Sequence, residues 1–119
     1  STDNMEIASF SEALHFGDKI STKVILESPF SKEIRILLNE GQVMKEHQTK
    51  FPIVVQVLEG EIDFGAQGEV HNFKSGSIVA LEGNIPHDLT AIKDSVVRLS
   101  LSKLDQVERV ENVVKESNK

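Results

Sequence analysis

Short runs of branched hydrophobic residues, separated by turn-forming residues, make up most of the chain between about residues 21 and 101. Such runs, bounded by glycine, proline or asparagine, are typical of β-strands. The pattern predicts strands over residues 24–26, 34–38, 53–58, 78–81 and 95–101. Several short strands divided by glycine turns predict an all-β sandwich or barrel.

The two ends of the chain have a different periodicity. Residues 9–16 predict a short N-terminal helix, because Ser9 and Glu12 have the spacing of a capping box. Near the other end, hydrophobic residues recur every three or four positions, at Leu104, Val107, Val110 and Val113. This spacing predicts an amphipathic C-terminal helix over about residues 103–116 that packs on the barrel or on a second subunit.

Composition narrows the class of protein and its partners. The length of 119 residues predicts a single domain over 1–119, with a barrel core at about 21–101. The chain has no cysteine, which excludes disulfides and thiolate chemistry and suits a cytoplasmic location. A net charge of −6 disfavours nucleic acid as a partner, and no hydrophobic run approaches the roughly 20 residues of a membrane helix.

The chain contains four histidines, and they differ in their surroundings. His15 lies in the predicted N-terminal helix, where a surface or packing role is expected. His71 follows a glycine-containing turn and is expected to face solvent. His47 and His87 lie within longer patterns that carry possible chemistry.

The segment from Gly41 to Gly60, GQVMKEHQTKFPIVVQVLEG, resembles the first motif of the cupins, G-x5-H-x-H-x3,4-E-x6-G. His47 follows Gly41 at the expected interval, and the segment ends in the family's "LEGE" turn. Two expected metal ligands are replaced. Thr49 stands at the second histidine position and Ile53 at the glutamate position.

The segment that begins at Gly76, GSIVALEGNIPHDLTA, resembles the second cupin motif, G-x5-P-x-G-x2-H-x3-N. His87 falls at the position of the metal-binding histidine. Asn84 replaces a glycine, and asparagine tolerates the left-handed backbone that glycine usually supplies there. The resemblance covers about residues 34–101 and implies a double-stranded β-helix, or jelly-roll barrel.

In complete cupin motifs, three histidines and a glutamate form an open site for a divalent transition metal. The resemblance leaves His47 and His87 as the candidate metal ligands here. Because two ligands are absent, we expect either no metal cofactor or a weakly bound divalent transition metal.

We therefore expect the barrel to bind a small organic molecule. The expected lining of this pocket is His47, Thr49, Ile53, His87, Met44, Phe51, Val55 and Leu89, with Val79 and Leu81 as further candidates. Two alternatives stay open. One is a metal-dependent cupin enzyme, such as a dioxygenase or isomerase, that uses His47 and His87. The other is a structural protein that dimerises through edge strands or the C-terminal helix. The resemblance also implies a homodimer.

Overall fold

The computed structural model describes residues 5–103. In this range the chain forms nine strands joined by turns and loops. They are β1 (Ser21–Glu27), β2 (Ser31–Leu38), β3 (Val43–His47), β4 (Ile53–Glu59), β5 (Glu61–Ala66), β6 (Glu69–Lys74), β7 (Ile78–Leu81), β8 (His87–Ala91) and β9 (Ser95–Ser102).

The strands form two antiparallel sheets. One has five strands in the order β1-β2-β9-β4-β7, and the other has four in the order β3-β8-β5-β6. The chain passes repeatedly from one sheet to the other, so β3 pairs with β8 and β4 pairs with β9. This arrangement confirms the predicted all-β jelly-roll fold.

The hydrophobic core lies between the two sheets. Side chains alternate across a strand, and in β4 and β8 every second residue is buried. Fully burying a valine, leucine, isoleucine or phenylalanine side chain stabilises the fold by about 1.5–3 kcal/mol. The buried core residues are Ile36, Leu38, Ile53, Val55, Val57, Ile62, Phe64, Leu81, Leu89, Ala91 and Val97.

The five strands predicted from hydrophobic runs correspond to β1, β2, β4, β7 and β9. The runs did not predict β3, β5, β6 and β8, which together form the whole four-stranded sheet. These strands carry charged or polar residues between the hydrophobic ones, as in the β6 sequence EVHNFK. β5 and β6 form a local hairpin, whereas β3 and β8 take their places by pairing with strands that are distant in the sequence.

The predicted helix over residues 9–16 is wrong, because this segment consists of bends and extended chain. The Ser9 hydroxyl accepts a hydrogen bond from the Ser11 amide, which closes a local turn. Ala13 has a φ of 51°, in the left-handed region, which interrupts helical geometry. The carbonyls of this segment bind the Arg35 side chain instead of helical amides.

The predicted C-terminal helix lies, apart from its first residue, outside the described residues. Within residues 5–103, no helix has the length and hydrophobicity needed to cross a membrane.

Candidate functional site

His47 and His87 lie side by side in the four-stranded sheet. His47 ends β3, His87 begins β8, and the two residues are cross-strand partners. Their ring centroids are 4.4 Å apart, with the ring planes tilted by 59°. His87 is 5% exposed, whereas His47 is exposed. The structure therefore brings together the two histidines that the two motifs contribute.

The backbone sets the orientation and tautomer of both rings. His47 Nδ1 lies 2.8 Å from the Lys45 carbonyl oxygen, and His87 Nδ1 lies 2.9 Å from that of Ile85. Because a carbonyl oxygen only accepts, each Nδ1 donates a hydrogen bond. In the neutral rings each Nε2 therefore carries a lone pair, which can accept a hydrogen bond from a ligand or bind a metal.

An irregularity in β3 brings His47 into this position. Met44 pairs with Leu89 and His47 pairs with His87, so three steps along β3 match two along β8. This is the geometry of a β-bulge, which redirects side chains locally. Met44 packs against the core cluster, and His47 contacts the ring of His87 three residues further on.

Thr49 lies in the loop after β3 rather than in the strand. Its hydroxyl donates a hydrogen bond of 2.9 Å to the Phe51 carbonyl, and its own carbonyl accepts one of 2.7 Å from the Asn84 amide. Asn84 has a φ of 65°, so the left-handed turn expected at this position is present. Thr49 thus connects the two loops beside the histidine pair.

Ile53 is 4% exposed and belongs to the core cluster. Its side chain offers no donor atom at the position where the cupin motif has a carboxylate. Within residues 5–103, no group of three or more histidine, aspartate or glutamate side chains is placed to hold a metal ion. The donor set of two imidazoles, one aliphatic side chain and one committed hydroxyl does not fit a four-ligand cupin metal centre.

The remaining predicted pocket residues occupy different environments. Val55 and Leu89 are buried in the core, and Met44 packs against it. Phe51 is partly buried in the loop between β3 and β4. The expected lining therefore includes core side chains as well as the residues beside the histidine pair.

A row of aromatic rings extends from the histidine pair across the four-stranded sheet. The Phe64 ring stacks on His87 with a centroid distance of 5.8 Å and on Phe73 with 5.3 Å. Phe64 is 1% exposed, so it is held firmly in the core. Since β3, β8, β5 and β6 are adjacent, these rings form one continuous aromatic row from His47 to Phe73.

A cavity of about 270 Å³ lies between the edges of the two sheets, next to this aromatic row. Phe64 and Ile85 line it, and these residues also contact His87 through the stacked ring and the carbonyl hydrogen bond. The rest of its lining is Ala66, Gln67, Glu69, His71, Val79, Ala80 and Leu81. Of the residues that the sequence predicted for the pocket, Val79 and Leu81 are in this lining and the other eight are not.

His71 lines the cavity, although the sequence pattern predicted only that it would face solvent. It is 53% exposed, its Nε2 lies 3.2 Å from a Glu69 carboxylate oxygen, and its ring stacks on Phe73 at 6.4 Å. The alternation of Glu69, His71 and Phe73 along β6 is the sequence signal that places them on one face. That signal became informative only once residues 69–74 were known to form a strand.

The two facing antiparallel sheets, with a histidine from each motif at one end, define a domain of the cupin class. Solved structures confirm the fold. An RmlC-like cupin protein from Desulfovibrio desulfuricans matches with a TM-score of 0.74 and 24% identity, covering 82% of this chain and 96% of that one. An RmlC-like cupin with a double-stranded β-helix fold from Methanocaldococcus jannaschii matches with a TM-score of 0.68 and 16% identity, covering 84% and 92%.

KdgF from Halomonas sp. also matches, with a TM-score of 0.68 and 20% identity over 75% of this chain and 84% of that one. No curated protein matches the sequence at a significant level. The model of the AraC-like ligand binding domain matches residues 34–109, which is more than half of the chain. The chain therefore belongs to the family of AraC-like ligand binding domains.

Proposed function

We propose that this domain binds a small organic molecule between its two sheets, beside His47 and His87, and does so without a tightly bound metal. Membership in a family of ligand binding domains supports the general class of function. The observation that carries the specific proposal is the pair of Nε2 atoms. Neither atom hydrogen-bonds to a described residue, while both Nδ1 atoms are fixed by carbonyls.

The cavity beside His87 indicates the size and chemistry of the ligand. Its volume of about 270 Å³ is just below the range of about 300–1,000 Å³ typical of pockets for drug-sized molecules. The lining combines apolar side chains such as Leu81 and Ile85 with polar ones such as Gln67 and His71. Because neither His47 nor His87 lines the cavity itself, we expect a ligand whose compact apolar part occupies the cavity and whose hydroxyl or amino group extends beyond this lining to donate to a histidine Nε2.

Binding can be tested with a library of small hydroxylated and aminated compounds, first by thermal shift and then by isothermal titration calorimetry. The variants His47→Phe and His87→Phe keep a ring at each position but remove the imidazole acceptor. Each should weaken the binding of a hit by at least about tenfold, because an unmatched ligand donor in a desolvated site costs 1–3 kcal/mol.

His15→Phe is the matched control, because it removes an imidazole from an exposed position in the N-terminal segment, away from the histidine pair. It should bind each hit as the unsubstituted protein does. The proposal fails if no compound shifts the melting temperature, or if the three variants bind the same hit with equal affinity.

One observation favours a second candidate, a metal-dependent enzyme. The two cross-strand imidazoles, 4.4 Å apart between centroids, could both contact one ion through their Nε2 atoms. Elemental analysis of protein purified without chelator decides this. A transition-metal content below about a tenth of an equivalent would exclude a tightly bound structural or catalytic ion.

We further propose a cytoplasmic homodimer. The strands β1, β7, β3 and β6 are the edges of the two sheets, and pairing an edge with a second copy satisfies its exposed backbone groups. Light scattering measures the oligomer. Deletion of residues 104–119 separates the two routes to it, because an unchanged dimer would exclude the C-terminal segment as the interface.

A further inference from the structure

Arg35 lies in the middle of β2, on the side of the five-stranded sheet that faces away from the core. Its neighbours Ile34 and Ile36 contact the core, so Arg35 points to the opposite face. It is nevertheless only 4% exposed, because residues 7–13, here called the covering segment, lie over it. A buried arginine needs compensation for its charge and its five N–H groups.

The covering segment supplies only part of that compensation. Nη1 donates to the carbonyls of Phe10 and Glu12 at 3.2 and 2.6 Å, and Nη2 donates to that of Ala13 at a long 3.4 Å. Nε is buried and has no hydrogen-bond partner among residues 5–103. Carbonyl oxygens bring no negative charge, and Arg35 forms no ion pair within residues 5–103.

The unmatched donors are on one edge of the guanidinium group. Nη1 is used twice, so the Nε–H and the weakly bonded Nη2 remain. In arginine this edge carries two parallel N–H bonds that match two oxygens of a carboxylate or phosphate. Among the described residues, no anion with two oxygens contacts the Nε and Nη2 edge of Arg35, although the shape and charge of this edge match one.

The surroundings of Arg35 also favour an anion. A cavity of about 260 Å³ lies under the covering segment, and its charged lining residues are Arg35, Lys23 and Glu12. Lys23 is the cross-strand partner of Arg35 in β1, and Arg98 is its partner in β9. Arg98 forms an ion pair with Glu33 at 2.7 Å, so its charge is compensated within the described residues, whereas the charge of Arg35 is not. The chain is acidic overall, but this cavity has an excess of positive charge.

We propose that this cavity binds a small oxyanion, a phosphate or a carboxylate, on the Nε and Nη2 edge of Arg35. Lys23 supplies a second positive charge, and the Ser9 hydroxyl is a further donor in the lining. Since Nε is buried, the covering segment shifts as the anion enters. The site lies on the outer face of the five-stranded sheet, so it is separate from the histidine pair.

The experiment is a titration of the full chain with inorganic phosphate, and separately with acetate, at constant ionic strength kept with sodium chloride. Binding is followed by calorimetry and by the arginine Nε–H signals in a ¹⁵N-correlated NMR spectrum. We expect a saturable isotherm and a shift of the one Nε–H signal that is absent in Arg35→Gln. The anion that binds more tightly identifies the preferred class.

Charge variants test the assignment. Arg35→Gln should weaken binding at least about tenfold, since a hydrogen bond to a charged group contributes that much. Lys23→Gln should weaken it less, and Glu12→Gln should strengthen it. Lys74→Gln is the matched control, because it removes one positive charge from an exposed position on the other sheet and should leave affinity unchanged. If Arg35→Gln does not fold, the other variants and the Nε–H signal still decide.

Two results would overturn the proposal. A rise in melting temperature that is linear in phosphate and equal in all variants would be the general effect of an excluded salt, leaving Arg35 as a clamp for the covering segment. An Arg35-dependent self-association without anion binding would show that an acidic side chain of a second copy fills the position.

Discussion

Gly60, in the turn between β4 and β5, should be among the least replaceable residues of the barrel. Its φ is 95°, and a Cβ atom at this position would lie 2.8 Å from the Ser95 Cα and closer still to the Asp94 carbonyl oxygen. Ser95 cannot easily move away. It is fully buried, its hydroxyl accepts from the Glu61 amide at 3.0 Å, and the same oxygen lies 2.7 Å from the Lys93 carbonyl.

The cost of Gly60→Ala has two parts. An L-residue in the left-handed region is strained by about 1–2 kcal/mol. Forcing atoms into a packed site adds about 1–3 kcal/mol. Alanine also restricts the unfolded chain more than glycine does, and this offsets about 0.4–1 kcal/mol of the cost. We therefore expect Gly60→Ala to lower the free energy of unfolding by about 1–5 kcal/mol.

Gly41→Ala is the control that isolates the packing part. Gly41 has a similar φ of 87°, but a Cβ there would meet no atom of the described residues within 4 Å. The backbone strain and the unfolded-state effect therefore cancel between the two variants. Urea denaturation, with unchanged m-values, should place Gly60→Ala about 1–3 kcal/mol below Gly41→Ala. A difference under about 0.5 kcal/mol would refute the close approach of the β4–β5 turn to Ser95.

Three further predictions concern the ion pair, the core and the histidine pair. Burial opposes ionisation of Glu33, but hydrogen bonds from Arg98 and Ser100 outweigh it and hold its pKa below the ordinary 4.5. The ionised carboxylate thus adds stability above about pH 4.5 that is lost as the pH falls through the lowered pKa. Glu33→Gln should lower stability by about 1–2 kcal/mol at pH 7 and flatten the acid limb of the stability–pH curve, and an unchanged limb would contradict this. Ile62→Val should cost about 0.5–1.5 kcal/mol in urea unfolding because Ile62 is fully buried, whereas Ile78→Val, at 56% exposure, should cost far less; equal costs would be inconsistent with this core. The double variant Thr49→His/Ile53→Glu restores the cupin ligand set and should retain close to one equivalent of transition metal in elemental analysis, and failure to do so in a folded variant would show that these positions do not converge on the histidine pair.

Part of this fold follows from the order of residues alone. The strands β2, β4, β7 and β9 are short segments rich in branched hydrophobic residues, so their strand character is largely a local property. The resemblance to the cupin motifs implied that His47 and His87 meet from neighbouring strands, and the left-handed turn at Asn84 was expected from its position in the second motif. Such features are predictable because they depend on neighbours in the sequence.

The N-terminal segment shows where local reasoning fails. Ser9 and Glu12 have helical capping spacing, yet three carbonyls of this segment bind Arg35, which lies 22 or more residues further along the chain. A tertiary interaction that supplies strong donors competes with the weak preference of a short helix. No pattern within residues 9–16 could reveal that competitor.

The features of the histidine pair also fall into two groups, those that the sequence determines and those that depend on the tertiary structure. The sequence by itself determined which residues stand at the ligand positions, and therefore that Ile53 brings no donor atom. Only the tertiary structure decided that the Thr49 hydroxyl donates to Phe51, that both Nδ1 atoms are held by carbonyls, and that Phe64 stacks on His87. The reason is physical: residue identity fixes which bonds are possible, but hydrogen bonds and ring contacts form between groups whose distance is set by strands paired far apart in the chain.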